Sequence, residues 1–369
     1  MLLLTLADEP DKASQVLKGA DVFIPRTIAH AGRRGVWTRK LAPRPGHAVS
    51  NLSGRPSDGF AETRLHPGSD SPFCPIQPMR ITAVFFSYLL ICLVLAALLT
   101  YPVMATGYLD EDPQRVMGRL AQVFILLGLW PFLKRLQLAD RRSLGYGIQG
   151  RAFRRAVALG WIEGVAILLV LALALVALEI RLPDADLELW PYLAKKALQA
   201  LIGGLLIGVL EETFFRGALY TAIRRCDGVA SAVVWTALLY MLVHFMKPSG
   251  LPEGVPFDWA GTWQMFGSVF IDVFQWKHLS SMAALFMVGV FLALVRERTG
   301  HIAWGIGLHA GWVFVIQVTR RMTDGNPEAP TAFLVGSYDG IIGWLAAVWI
   351  GLLALVFWGW TRRERSEEA

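Results

Sequence analysis

Charge is scarce in this chain: Asp, Glu, Lys and Arg make up 17% of its 369 residues, against 54% hydrophobic ones. An ordinary soluble globular domain carries roughly 25% charged residues, so this balance excludes one and calls for a lipid environment. Cysteine is scarcer still. The three present, Cys74, Cys92 and Cys226, lie far apart with no CxxC spacing, which excludes a disulfide framework and a thiolate metal site. The opening Met1-Leu2-Leu3-Leu4-Thr5-Leu6-Ala7 is not read as a targeting signal, because it is too short for the apolar region of a secretory leader and has no basic residues before it. The net charge of +6 is no sign of a nucleic-acid partner, since Lys and Arg gather in the N-terminal part and at helix ends rather than on one basic face. Lipid headgroups are the expected counter-charges.

Residues 1–78 are a different material from the rest. They are rich in Pro, Arg, Gly and Ser, as in Pro43-Arg44-Pro45-Gly46, without a sustained apolar period, and are expected to form a disordered tail. Met79-Arg80 followed at once by the apolar run from Ile81 to Leu99 reads as a natural membrane-protein beginning, which makes the upstream stretch a candidate mis-start. Residues 79–369 are read as one transmembrane domain.

A helix crossing the hydrocarbon core needs about 20 apolar residues. Such runs predict an all-α polytopic membrane protein with about eight spans, near 82–105, 116–134, 153–180, 193–223, 228–246, 279–295, 302–319 and 340–360. The connection from Lys134 to Arg155 holds seven Lys or Arg residues, which by the positive-inside rule puts it and both termini in the cytoplasm. Arg224-Arg225 and Arg296-Glu297-Arg298 agree with that, as does the acidic stretch Asp184-Ala185-Asp186-Leu187-Glu188 outside; Arg320-Arg321 breaks the rule. A bacterial inner membrane is the expected location. The aromatic segment 257–276 is too interrupted by polar groups to span and reads as interfacial or re-entrant.

Against this apolar background the ionisable residues inside the spans stand out. Span four carries Glu211-Glu212-Thr213-Phe214-Phe215-Arg216-Gly217, and each charge at a helix centre costs at least about 2.5–3.5 kcal/mol on insertion scales, so partners are required. Glu212 and Arg216, four apart on one face, pair with each other. Glu211 is turned about 100° away and is free to serve as a general base. Two histidines are candidates to face it, His244 in span five and His309 in span seven. At 1.5 Å per residue, Glu211 and His244 lie about 20 and 24 Å from their cytoplasmic helix ends; His309, about 12 Å from His301, is shallower. Glu163 in span three reads as structural, His278 and His301 as headgroup contacts, and Gly203-Gly204 and Gly305-Ile306-Gly307 as close helix packing.

The ordered set Glu211-Glu212-x-x-x-Arg216-Gly217, then Tyr240-x-x-x-His244, then His309-Ala310 closely resembles the CPBP family of intramembrane proteases, which holds the CAAX prenyl endopeptidases and the bacteriocin-processing or immunity proteins. The resemblance covers about residues 195–320, and the family's eight-helix arrangement is consistent with the span count. It implies that Glu211 activates the attacking water, that His244 and His309 orient it and stabilise the oxyanion, and that Glu212, Arg216 and Tyr240 support the site. Two positions depart from the pattern: Tyr240 stands where Phe is usual, and Val313, which has no donor, where Asn is common. Gln317, two turns beyond His309, is a candidate replacement donor.

The expected activity is therefore intramembrane peptide-bond hydrolysis on a peptide or membrane-protein substrate. One carboxylate and two imidazoles are also a donor set for Zn²⁺, and the family is read either as a metalloprotease or as a glutamate-dependent protease; without an HExxH-like pair on one helix, no obligatory cofactor is expected. Two rival readings remain. A catalytically silent binding or immunity protein is favoured by Val313, and a proton-coupled transporter by buried Glu and His, although no inverted repeat is evident.

Overall fold

The computed structural model describes residues 78–184 and 190–367. Apart from Pro78, the expected N-terminal tail lies outside the described residues, as do residues 185–188 of the acidic stretch. The described chain is helical, with α1 Pro78–Ala105, α2 Pro113–Arg135, α3 Gly150–Ala177, α4 Trp190–Glu212, α5 Tyr220–Asp227, α6 Val229–Phe245, α7 Trp259–Ile271, α8 Leu279–Thr299, α9 Ala303–Met322 and α10 Trp344–Glu367. One two-stranded antiparallel ribbon, β1 Arg181–Pro183 with β2 Thr323–Gly325, ties the end of α3 to the end of α9. Arg181 fastens it, donating from Nε to Thr323 Oγ1 at 2.6 Å and from Nη1 to the Gly340 carbonyl at 3.2 Å.

Each expected span has its helix, and among the described residues six are long and apolar enough to cross a membrane by themselves: α1, α2, α3, the continuous Trp190–Asp227 rod, the Trp276–Thr299 segment that contains α8, and Trp344–Arg363 of α10. Helix α6 is apolar but has 17 residues. Helix α9 is not among the six, and the reason is its position: thirteen of its twenty residues are buried, so it faces protein rather than lipid and needs no apolar girdle. Helix α7, at 13 residues, extends about 20 Å, too short for a hydrocarbon core of about 30 Å. Its Trp259 and Trp263 are exposed, and Phe274 and Trp276 beyond it more so, as an interfacial segment requires.

Helix α9 is the axis of the bundle, packed on α3 and α4 through glycines. A Cβ on Gly164 of α3 would stand 2.5 Å from the Leu308 carbonyl oxygen, and one on Gly307 of α9 would stand 2.3 Å from that of Val157, so backbone meets backbone. Gly204 and Gly208 of α4 do the same toward Ala310 and Ile306. Gly203, by contrast, faces open space, which corrects its assignment to packing.

Between α4 and α5 the rod changes winding. Thr213–Leu219 is π-helical, so Glu212 ends the α-helical part and Arg216 lies in the wide turn. Side chains cause nothing obvious in this sequence to forecast it, but Thr213 Oγ1 is held at 2.5 Å from the Val209 carbonyl and at 2.6 Å from the Tyr146 hydroxyl, which pins the entry to that turn. Such widened turns occur frequently where a helix carries function.

Candidate active site

Four helices bring the site together. Helix α4 supplies Glu211 and Glu212, the π-helical segment Arg216, α6 Tyr240 and His244, and α9 His309. All six are buried. Oε2 of Glu211 is 3.7 Å from Nε2 of His244 and 3.7 Å from Nε2 of His309, so the two rings converge on one carboxylate oxygen. Neither distance is a direct hydrogen bond, and both suit a single water held between the three groups.

The outer nitrogens of both rings are engaged. Nδ1 of His244 donates to the Tyr240 carbonyl one turn back, at 2.6 Å. Nδ1 of His309 donates to Oε1 of Glu212 at 3.2 Å. The same oxygen receives Nη1 of Arg216 at 2.9 Å, and the guanidinium lies 4.3 Å from the Tyr240 ring centroid. Arg216 is thus wrapped by a carboxylate and an aromatic face, the environment a buried cation requires. The Tyr240 ring also lies 4.3 Å from that of His244, so one residue joins the cation to the histidine. With Nδ1 engaged outward, each ring presents Nε2 to Glu211, as an acceptor without a proton there and as an N–H donor with one.

The depth mismatch of His309 disappears in three dimensions. Nε of Arg296, near the end of α8, donates to the Arg216 carbonyl at 3.1 Å, and Glu297 pairs with Arg224 at 3.1 Å, so the end of α8 lies beside the Arg216–Arg224 stretch of the rod. Taking Arg296 level with Arg216 and counting about 1.5 Å per residue puts Glu211 and His309 both about 13 Å from Gly300. Gly305 is the close point of α9. A Cβ there would stand 2.6 Å from Oε2 of Glu212, which makes it a site residue that sequence reasoning assigned only to packing.

Two cavities meet at His244. One, of 120 Å³, is apolar and lies between α1, α2, α4 and α6, with Leu93, Ile125 and Phe214 in its wall together with Glu211 and His244. The other, of 160 Å³, lies beyond His244 and His309 toward α8, α9 and α10, and is lined also by Lys247, Val313, Arg320 and Asp339. Arg320, which broke the charge rule, is exposed and lines this cavity. Asp339 in the loop before α10 accepts from the Ile341 and Ile342 amides at 2.9 and 2.8 Å. Burial raises the Asp339 carboxyl above its usual range, against the lowering effect of those amides and of Arg320.

The other polar candidates lie apart. Glu163 is on the exposed side of α3. His278 packs on Phe245 with ring centroids 5.1 Å apart, and Nδ1 of His301 accepts from the Ala303 amide at 3.3 Å; both stand at helix ends as expected. Gln317 is buried, and its Nε2 makes no hydrogen bond among the described residues. Among the described residues no group of three or more His, Cys, Asp or Glu is arranged to hold a metal ion.

Residues 193–315, which hold every residue of this constellation, match the family described as type II CAAX prenyl endopeptidase Rce1-like. This helical core is similar to the Rce1-like family. The Rce1-like match supports a protease of the CAAX type, embedded in a membrane, as the class to which the site belongs. No curated protein and no solved structure matches the chain.

Proposed function

We propose that the protein is an intramembrane endopeptidase in which Glu211 is the general base. The observation that carries this reading is the convergence of His244 and His309 on Oε2 of Glu211, each at 3.7 Å, where Glu211 and His244 line an apolar cavity. A water held by the three groups gives a proton to Glu211 as its oxygen attacks the scissile carbonyl carbon. Oxygen gains a bond to carbon, the carbonyl π electrons move to its oxygen, and the proton later passes to the leaving amine as the C–N bond breaks. The developing oxyanion accepts from Nε2–H of an imidazole that carries a proton there, in a site whose dipoles are already oriented. A proton that reaches His309 is balanced by Glu212 at its other nitrogen, and Arg216 and Tyr240 keep Glu212 and His244 in place.

The substrate is a peptide or membrane-protein segment entering from lipid through the apolar cavity. No step is routed through a metal, and none is obligatory in this reading. The positively charged Lys134–Arg155 connection supports cytoplasmic termini, in a bacterial plasma membrane. The test is cleavage of a fluorogenic membrane peptide by the purified full chain in proteoliposomes, with and without a zinc chelator and with and without a proton gradient. Turnover that survives chelation and needs no gradient is expected. Loss of turnover on chelation, restored by zinc, assigns the same side chains to a metalloenzyme; uptake driven by the gradient without cleavage assigns them to transport.

A further inference from the structure

The end of the bundle opposite Arg224 carries a cavity outside the candidate active site. It measures 250 Å³ and lies between α4 and α9, walled by Leu193, Ala197 and Phe314, with Lys196 and Arg321 as its charged lining residues and Gln199 and Gln317 as its amides. Among the described residues no carboxylate lines it. Lys196 is 9% exposed, and its ammonium is 5.0 Å from the Tyr192 ring centroid, with no anionic partner among the described residues. Arg321 Nη1 donates to the Tyr192 hydroxyl at 3.4 Å, so one tyrosine draws both cations to the same place. Independently, Gln317 is buried with Nε2 unpartnered, and Gln199 has a buried, unpartnered Oε1. The cavity therefore offers two positive charges and an amide N–H donor to an anion, and an amide oxygen to a hydroxyl.

The position of the cavity selects among anions. Trp190, at 81% exposure, stands at its mouth, and Lys196 lies about 9 Å along α4 from it, the relation expected between a headgroup-level tryptophan and a lysine whose stem lies in the acyl region. Apolar walls continue where a soluble anion has nothing to offer. We propose that this cavity binds an anionic phospholipid, its phosphate between Lys196 and Arg321, a headgroup hydroxyl at the glutamines and its chains along α4 and α9. This explains why Arg321 stands on the side where basic residues are otherwise few. It is independent of the peptidase reading.

The test is native mass spectrometry of the full chain in detergent, titrated with phosphatidylglycerol and with phosphatidylcholine of the same acyl chains. The parent is expected to bind one phosphatidylglycerol at least tenfold more tightly than phosphatidylcholine, and Lys196→Met with Arg321→Gln to lose that preference at an unchanged thermal midpoint. Arg321→Gln alone, which leaves the buried position intact, is expected to weaken the preference several-fold and keeps the test decisive where the double variant does not fold. Glu211→Gln is expected to bind lipid as the parent does. Equal binding of the two lipids by the parent, or a preference that survives in Arg321→Gln and the double variant, overturns the proposal. Displacement of the lipid by equimolar glycerol 1-phosphate also overturns it, in favour of a site for free anions.

Discussion

Oε1 of Glu212 lies 3.2 Å from Nδ1 of His309 and so connects the buried Arg216 ion pair to the ring whose other nitrogen faces Glu211. Adjacent carboxylates thus address opposite edges of one imidazole. In the proposed mechanism Glu211 reacts and Glu212 orients.

Glu212→Gln keeps the shape and removes the charge from both Arg216 and His309. Leaving a buried cation without its carboxylate costs about 3 kcal/mol or more. The variant is expected to unfold earlier in a detergent denaturation series and to lose about 10–100-fold in kcat, as outer-shell partners of working histidines do, with little change in KM. A parent-like midpoint and kcat would remove Glu212 from the site.

Gly305→Ala separates site geometry from helix stability. Alanine is the better helix former by about 1 kcal/mol, yet its Cβ would stand 2.6 Å from Oε2 of Glu212. Helix content by circular dichroism is expected to hold while kcat falls at least tenfold. Full activity would show that Glu212 moves aside without consequence.

Val313→Asn restores a donor on the wall of the cavity beyond His309. An oxyanion donor is worth about 10²–10³ in kcat where it is well placed, and a partial gain of about tenfold is expected here. No gain, with intact folding, would mean that the histidines already supply the oxyanion contacts or that catalysis does not use this wall.

Asp140, in the connection between α2 and α3, supplies a pH test away from the membrane interior. Burial would raise its carboxyl, but the Ser143 hydroxyl, the amides of Ser143 and Arg142, and Arg225 outweigh that and hold it below the ordinary range. A depressed carboxyl contributes stability that is present above the unfolded value, near 4, and is lost as pH falls through the folded one. Asp140→Asn is therefore expected to melt earlier than the parent at pH 7, with the gap closing below about pH 4. A gap that is constant with pH would place the effect in packing rather than charge.

Apolar runs and charge-bearing motifs made much of this architecture legible. The transmembrane helices and the pairing of Glu212 with Arg216 follow from hydropathy and from i,i+4 spacing, both local properties. What sequence did not reveal depends on three-dimensional context. The π-helical turn at Thr213–Leu219 has no distinctive composition, the modest hydropathy of α9 makes sense only once it is enclosed, and the β1–β2 ribbon joins segments about 140 residues apart. The depth of His309 follows from the Arg296–Arg216 contact, which sets the α8–α9 turn about one helical turn below Arg216 and which no periodicity announces. Gly305 was recognised as a packing residue, and that it packs on a carboxylate of the site emerged only from the fold.

The most direct test of the central claim is cleavage of a peptide library by the purified full chain and by its Glu211→Gln variant, with folding and zinc content measured on both. Gln keeps the shape of the side chain and cannot take the proton. The account predicts cleavage by the parent without stoichiometric zinc, and a loss of at least a thousandfold in the variant at an unchanged thermal midpoint. Equal cleavage by the two proteins would contradict it.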